Sequence, residues 1–148
     1  MRVVLQRVKS ASVTVDDQVI GKVGKGYMLL VGFTHDDSIE DIDYIARKVA
    51  NARFFADENG KINLSIKQVQ GAILSVSQFT LYASTKNGNR PGFGAAQKPE
   101  LAKENYHYFN EKLRSYGIEV QTGQFGADMD VALVNDGPIT IIYDSNQK

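Results

Sequence analysis

Two short runs of this chain carry residues of the kind that bind and turn over a ligand. The first is Ser77-Gln78-Phe79-Thr80-Leu81. A serine or threonine hydroxyl attacks only when a neighbouring base takes its proton, and no base accompanies Ser77 or Thr80 in the run. Read as the end of a regular strand, the run sends Gln78 and Thr80 to the face shared by Leu74 and Val76, with Ser77 and Phe79 opposite. Polar side chains on an apolar face need hydrogen-bond partners or a ligand. The plain alternative is that Thr80 is a β-former and Gln78 a satisfied sheet residue. The second run is Asn135-Asp136-Gly137-Pro138, between two strands that read as a hairpin. Such residues are the usual makings of a turn. Gly137 would also leave backbone uncovered against a ligand, and the bond before Pro138 is open to either isomer, since cis costs only ~0.5–1 kcal/mol.

A third candidate is the loop Lys86-Asn87-Gly88-Asn89-Arg90-Pro91-Gly92-Phe93-Gly94, with Lys98 beyond it. Cations on glycine-rich backbone beside an aromatic ring suit a phosphate or a stacked base; a solvated surface loop has the same composition. The two histidines add little. His107 falls off the apolar stripe of its helix. His35 stands with Asp36 and Asp37 where a helix begins, so those acids read as helix-start chemistry rather than as metal ligands. Gly21, Gly24 and Gly26 make no nucleotide fingerprint, because no helix opens after them. Neither a metal nor a cofactor is expected.

These segments need strands and helices to hold them. Arg2–Val8 reads as a first strand with Arg7 on the same side as Val3 and Leu5. Ala11, Val13 and Val15 alternate with polar residues, the period of a half-buried strand, and Asp16-Asp17-Gln18 turns the chain into Val19–Val23. Tyr27–Phe33 is apolar enough for a central strand. Ser38 and Asp41 form a capping box for a helix whose stripe is Ile39, Ile42, Ile45, Ala46 and Val49. Arg53–Ala56, the alternation of Ile62, Leu64 and Ile66, and Ala72–Leu81 are further strands. After a loop from Ala83 to Pro99, a second helix carries Ala102, Tyr106, Phe109, Leu113 and Tyr116 and stops at Gly117. Ile118–Gln121, Met129–Val134 and Ile139–Tyr143 complete the strands. The pattern predicts one compact α+β domain spanning residues 1–148, rich in antiparallel strands, barrel-like, with two main helices.

Bulk properties set the outer limits. A chain of 148 residues buries roughly two-thirds of its unfolded surface. With 43% hydrophobic and 23% charged residues, it has the composition of a soluble globular protein. Its longest apolar stretches fall well short of the ~20 residues that span a bilayer, and no signal peptide follows Met1, so no membrane partner is expected. There is no cysteine, hence no thiolate chemistry, in keeping with a cytoplasmic location. Seventeen basic and seventeen acidic residues balance, which argues against a protein that coats nucleic acid non-specifically. DNA is not expected as a partner.

In order along the chain, these segments resemble the D-aminoacyl-tRNA deacylase family from end to end. The resemblance runs from Met1-Arg2-Val3-Val4-Leu5-Gln6-Arg7-Val8 and Ala11-Ser12-Val13-Thr14-Val15 through Ser77-Gln78-Phe79-Thr80-Leu81-Tyr82 and Arg90-Pro91. It continues through Thr122-Gly123 and Phe125-Gly126-Ala127-Asp128-Met129 to Leu133-Val134-Asn135-Asp136-Gly137-Pro138-Ile139-Thr140. The segments at Ser77–Thr80 and Asn135–Thr140 match the family's two signature motifs, although the loop between Lys86 and Arg90 is less basic than the resemblance leads one to expect.

The resemblance implies a homodimer in which Gly137 and Pro138, joined by a cis bond, reach into the partner's pocket. Arg7 would hold that motif, and Ser77, Gln78, Phe79 and Thr80 would form the opposite wall. Lys86, Arg90, Phe125 and Met129 would contact the 3′ end of the tRNA. The implied reaction is hydrolysis of the ester between a D-amino acid and tRNA, with L-substrates rejected by backbone at Gly137-Pro138. Glycine has no side chain to reject, so glycyl-tRNA, including glycine mischarged on the alanine tRNA, is a further expected substrate. Two alternatives are a small-molecule ester or amide hydrolase using Thr80, and an RNA-binding module without catalysis.

Overall fold

The computed structural model describes residues 1–148. A long first strand, β1 (Arg2–Val15), is the axis of the sheet. It turns at Asp16 and Asp17, both at positive φ, the conformation that a tight hairpin requires. β2 (Gln18–Val23) and β3 (Gly26–Gly32) then pair antiparallel with its two halves. Helix α1 (Ile39–Ala50) begins at the Ser38–Asp41 capping box. β4 (Phe55–Ala56) and β5 (Ile62–Leu64) form a small separate ribbon. β6 (Ala72–Ser77) runs parallel to β3, and β7 (Glu119–Thr122) parallel to β6, with helix α2 (Pro99–Ser115) as the crossover. β8 (Asp130–Asp144) lies antiparallel along the free side of β1.

The main core lies between the helices and one face of this sheet. Val3, Leu5, Tyr27, Leu29, Ile42, Ile45, Tyr106, Phe109 and Leu113 belong to it. Ile39, placed by periodicity on the α1 stripe, is 47% exposed; as the first helical residue it precedes the turn that meets the sheet. A second cluster joins Ala11, Val13 and Val23 to Met28, Leu74 and Val76. Residues paired in register point to one face, so the β1–β2 hairpin curls over the opposite face of the β3–β6 pair, giving the barrel-like form. Where β3 and β6 begin to pair, their backbones approach closely: a Cβ at Gly26 would stand 1.7 Å from the Ala72 carbonyl oxygen. Gly26→Ala is expected to cost about 4 kcal/mol or more, the range reserved for strained backbone and overpacked cores, as read by urea denaturation.

Three expected elements differ in the structure. Arg2–Val8 and Ala11–Val15 are one strand, because β8 pairs along both halves. The strand expected to continue to Leu81 stops at Ser77, and Phe79–Tyr82 is a 3₁₀ turn. Met129–Val134 and Ile139–Tyr143 are not a hairpin: Asn135–Pro138 lies within the single strand β8. A strand length that β1 imposes on both sides outweighs the local turn chemistry of Asn, Asp, Gly and Pro.

Candidate active site

The carboxyl ends of the parallel strands β3, β6 and β7 come out together, the usual place for a ligand crevice in such an arrangement. Gln78 N–H donates to Val31 O (2.8 Å), and the turn closes with Leu81 N–H to Gln78 O (3.2 Å) and Ala83 N–H to Thr80 O (3.0 Å). Gly32 permits this packing, since a Cβ there would meet Gln78 O at 2.8 Å. The N–H groups of Phe79 and Thr80 open the turn and have no acceptor within it. Gln78 and Thr80 are not neighbours across a strand; the Gln78 amide Nε2 donates to Thr80 Oγ1. Neither a carboxylate nor an imidazole is hydrogen-bonded to that hydroxyl. Phe79 and Thr80 are exposed, and Ser77 is half-buried at the strand end.

Beside this wall lies the segment after β7. Phe125 is half-buried with its ring 6.1 Å from that of Tyr106. Met129 packs on the second cluster, its sulfur where a Cβ at Gly123 would intrude at 2.6 Å. Lys86 and Arg90 are exposed on the loop before α2.

The Gly137-Pro138 bond is cis. Gln6 pairs with Thr140 and Val8 with Asn135, so the four residues Asp136–Ile139 face Arg7 alone, and the motif bulges from the strand. Arg7 is nearly buried, with 12% of its side chain exposed. Its Nε donates to Asp136 O (3.1 Å), and the Asp136 carboxylate stands 3.5 Å away. Its Nη1 donates to Phe54 O, at the exit of α1. Beside Arg7 in register is Tyr27, whose hydroxyl burial pushes up in pKa. A cleft of about 400 Å³ behind this clamp, lined by Arg47, Phe54, Ile141 and Tyr143 among others, holds no residue of the wall.

The wall and the bulge do not meet within one chain. Ser77 is level with Val31 and Val3, four residues along β1 from Arg7, and three strand spacings separate β6 from β8. At about 3.4 Å per residue and 4.8 Å per strand, that is about 20 Å along the sheet.

A family model described as D-Tyr-tRNA(Tyr) deacylase matches residues 4–144. The chain belongs to this family. A D-aminoacyl-tRNA deacylase of Limosilactobacillus reuteri (strain DSM 20016) is 59% identical over 144 residues, covering 97% of this chain and 99% of the relative. One from Exiguobacterium sp. (strain ATCC BAA-1283 / AT1b) is 56% identical over 146 residues, 99% of each. Among solved structures, a c-Myc DNA Unwinding Element Binding Protein superposes with a TM-score of 0.91 at 40% identity, covering 97% of this chain and 98% of that one. A probable eukaryotic D-amino acid tRNA deacylase superposes at 0.82 with 19% identity, over 96% and 97%, which shows the shared fold. Family membership places the chain among hydrolases of the aminoacyl-tRNA ester bond.

Arg2 is a member of the site region that sequence reasoning passed over. Its Nη1 donates to Leu81 O (2.9 Å), its guanidinium lies 4.6 Å from the centre of the Tyr82 ring, and its Nε bonds Asp144 (2.9 Å). Thus one arginine of β1 grips the wall and another grips the bulge. An arginine at the first residue of a strand gave no local signal, because its partners lie 79 and 142 positions away. Burial pushes the Asp144 carboxyl up, but the Asn146 N–H and Arg2 outweigh it and hold the pKa below 3.8. A depressed carboxylate contributes stability above its ordinary value and loses it as pH falls through the lowered one. The Tm advantage of the wild type over Asp144→Asn is therefore expected to be full at pH 5 and to shrink below pH 3.8, as followed by thermal melts across that range.

Proposed function

We propose that the protein is a cytoplasmic homodimeric deacylase in which each site is shared. Ser77–Thr80 of one subunit forms the wall, and Gly137-Pro138 of the other closes the pocket over the α-carbon of the substrate. The observation that carries this reading is the placement of the two motifs. The bulge is exposed on an edge strand, about 20 Å along the sheet from its own wall by strand geometry, where it serves a second chain better than its own. Ile142, 70% exposed, and Val134, 53% exposed, lie on β8 to either side of it and supply apolar surface for that contact.

The ligand is the aminoacylated 3′ end of tRNA, with Phe125 and Met129 beside the terminal nucleoside and Lys86 and Arg90 towards its phosphates. Water adds to the ester carbonyl, and the oxyanion takes hydrogen bonds from the main-chain N–H of Phe79 and Thr80. The C–O bond then breaks, the 3′-oxygen leaves with a proton, and free D-amino acid departs. An L side chain would have to occupy the volume of the Gly137-Pro138 backbone, whereas a D side chain points away. Any D-residue passes such a filter, and so does glycine, which makes glycyl-tRNA mischarged on the alanine tRNA a substrate.

The Thr80 hydroxyl accepts from Gln78 and has no base, which favours activation of water by the terminal 2′-hydroxyl of the RNA over attack by Thr80, and argues equally against a small-molecule esterase built on Thr80. Thr80→Ala is expected to retain turnover within about tenfold of wild type, the scale of one neutral hydrogen bond, while a substrate lacking the terminal 2′-hydroxyl is hydrolysed about 100-fold more slowly, the low end for lost general-base assistance. Single-turnover deacylation of matched D- and L-aminoacyl-tRNA reads both. The reverse order of effects, or equal release of D and L, would remove the proposal.

A further inference from the structure

The wall carries an aromatic neighbour to which the reaction assigns no part. Phe93 meets Phe79 edge-on, with ring centres 5.0 Å apart and planes at 66°. Both rings stand in solvent, Phe93 41% and Phe79 55% exposed. The loop that carries Phe93 has no helix or strand, yet it is fastened on both sides of that residue. Before it, Ser84 and Gly92 exchange backbone hydrogen bonds of 2.9 and 2.8 Å. After it, Thr34 Oγ1 donates to Ala95 O (2.6 Å), His35 Nε2 lies 2.8 Å from Gly94 O, and Gln97 N–H donates to Phe33 O (3.0 Å). The Phe93 carbonyl closes the intervening turn by accepting from Ala96 N–H (3.0 Å). The ring is therefore displayed by fixed backbone. Lys86 and Arg90 rise from the same loop, exposed and without a carboxylate partner.

An exposed aromatic face beside unpaired cations is the surface that takes single-stranded nucleic acid: the ring stacks a base and the cations follow the backbone. We infer that Phe93, braced by Phe79, is a stacking site for the base of the nucleotide that precedes the esterified one. The inference rests on the deacylase reading and deepens it, because it makes the enzyme read an unpaired RNA end two nucleotides long rather than the terminal nucleoside alone. The geometry favours RNA over the amino-acid side chain, since the free charges of the loop, on Lys86, Arg90 and Lys98, are all positive and exposed.

The test compares two probes, a D-aminoacyl RNA hairpin with an unpaired 3′ end and the D-aminoacyl ester of the terminal nucleoside alone. Stacking on one ring changes affinity by about 5- to 150-fold. Phe93→Ala should raise KM for the hairpin by an amount in that range and leave KM for the nucleoside ester unchanged, with kcat on the hairpin the less affected parameter. Phe93→Trp should restore KM. A fluorescent base analogue at the penultimate position should be quenched on binding wild type and not on binding Phe93→Ala, and an abasic penultimate nucleotide should weaken wild type without weakening Phe93→Ala further. Equal losses on both probes would overturn the inference and make Phe93 a brace for Phe79, and an unchanged KM on the hairpin, or dissociation of the dimer by Phe93→Ala, would also overturn it. Failure of the wild type to release amino acid from either probe would instead sink the deacylase reading.

Discussion

Arg7→Lys is expected to slow D-aminoacyl-tRNA hydrolysis by about 10- to 100-fold and to narrow the gap between D- and L-substrates, with the chain still folded. The guanidinium bridges two main-chain carbonyls from different elements, Asp136 of β8 and Phe54 at the exit of α1. A lysine ammonium is a single point on a flexible stem and cannot repeat a planar fork. The Arg7 side chain is nearly buried, with 12% of it exposed, so little water reaches the guanidinium to compete for these bonds. Hydrogen bonds to charged groups contribute about 1.5–3 kcal/mol, and that energy here fixes the position of a backbone whose placement is the proposed filter. Matched D- and L-aminoacyl-tRNA kinetics, beside a thermal melt, separate the two readings of Arg7. A lowered Tm with an unchanged D-to-L ratio would make Arg7 a structural residue only.

The second large effect concerns mixing of two damaged chains. Gly137→Ala puts a side chain at φ +123°, with its Cβ 3.0 Å from the Arg7 guanidinium and 3.2 Å from the Ile139 nitrogen. Neither the conformation nor the space suits it. Phe79→Pro takes away one of the two N–H groups that open the wall's turn, at the helix position that best tolerates proline, and losing an oxyanion donor costs about 10²–10³ in rate. Each variant alone should be nearly inactive. Co-refolded in equal amounts, half of the dimers are hybrids, and each hybrid rebuilds one intact site from its two undamaged halves. Turnover should then return to about a quarter of wild type if the interface is a two-fold one. If both motifs served one chain, the mixture would stay as inactive as its parents, and the shared-site proposal would fall.

Much of this architecture was readable from residue order. The α1 cap, the buried stripes of both helices and the turn at Asp16-Asp17 are local features, and local features show in sequence. Arg7 beside Val3 and Leu5 stood out as a charge on an apolar face, and the resemblance tied it to the Gly137-Pro138 motif; its second acceptor, the Phe54 carbonyl, gave no signal. The errors share a cause. Asn135-Asp136-Gly137-Pro138 has the composition of a hairpin turn, but pairing with β1 on both sides keeps the chain straight and turns surplus residues into a bulge. Ser77–Leu81 has strand-like residues, but its path is decided by Gly32, 45 or more positions earlier, whose missing Cβ lets the chain wind onto β3. Both motifs were recognisable as motifs; their shapes depend on neighbours distant in sequence. The Phe79–Phe93 contact was out of reach for the same reason, since it needs the end of β3 to hold the loop.

Arg2 and Arg7 belong to one strand, one holding the wall and the other the bulge. In the proposed dimer, β1 is a fixed gauge between a half-site that the subunit keeps and a half-site that it lends. In a two-fold pair the two gauges lie in opposition, so the width of each pocket is set by two rigid spacings and not by the flexibility of any loop. A substrate too bulky at its α-carbon would have to stretch a hydrogen-bonded sheet to enter. For the proposed filter, which tolerates every side chain and refuses the wrong hand, inextensibility in that one direction is the property that counts.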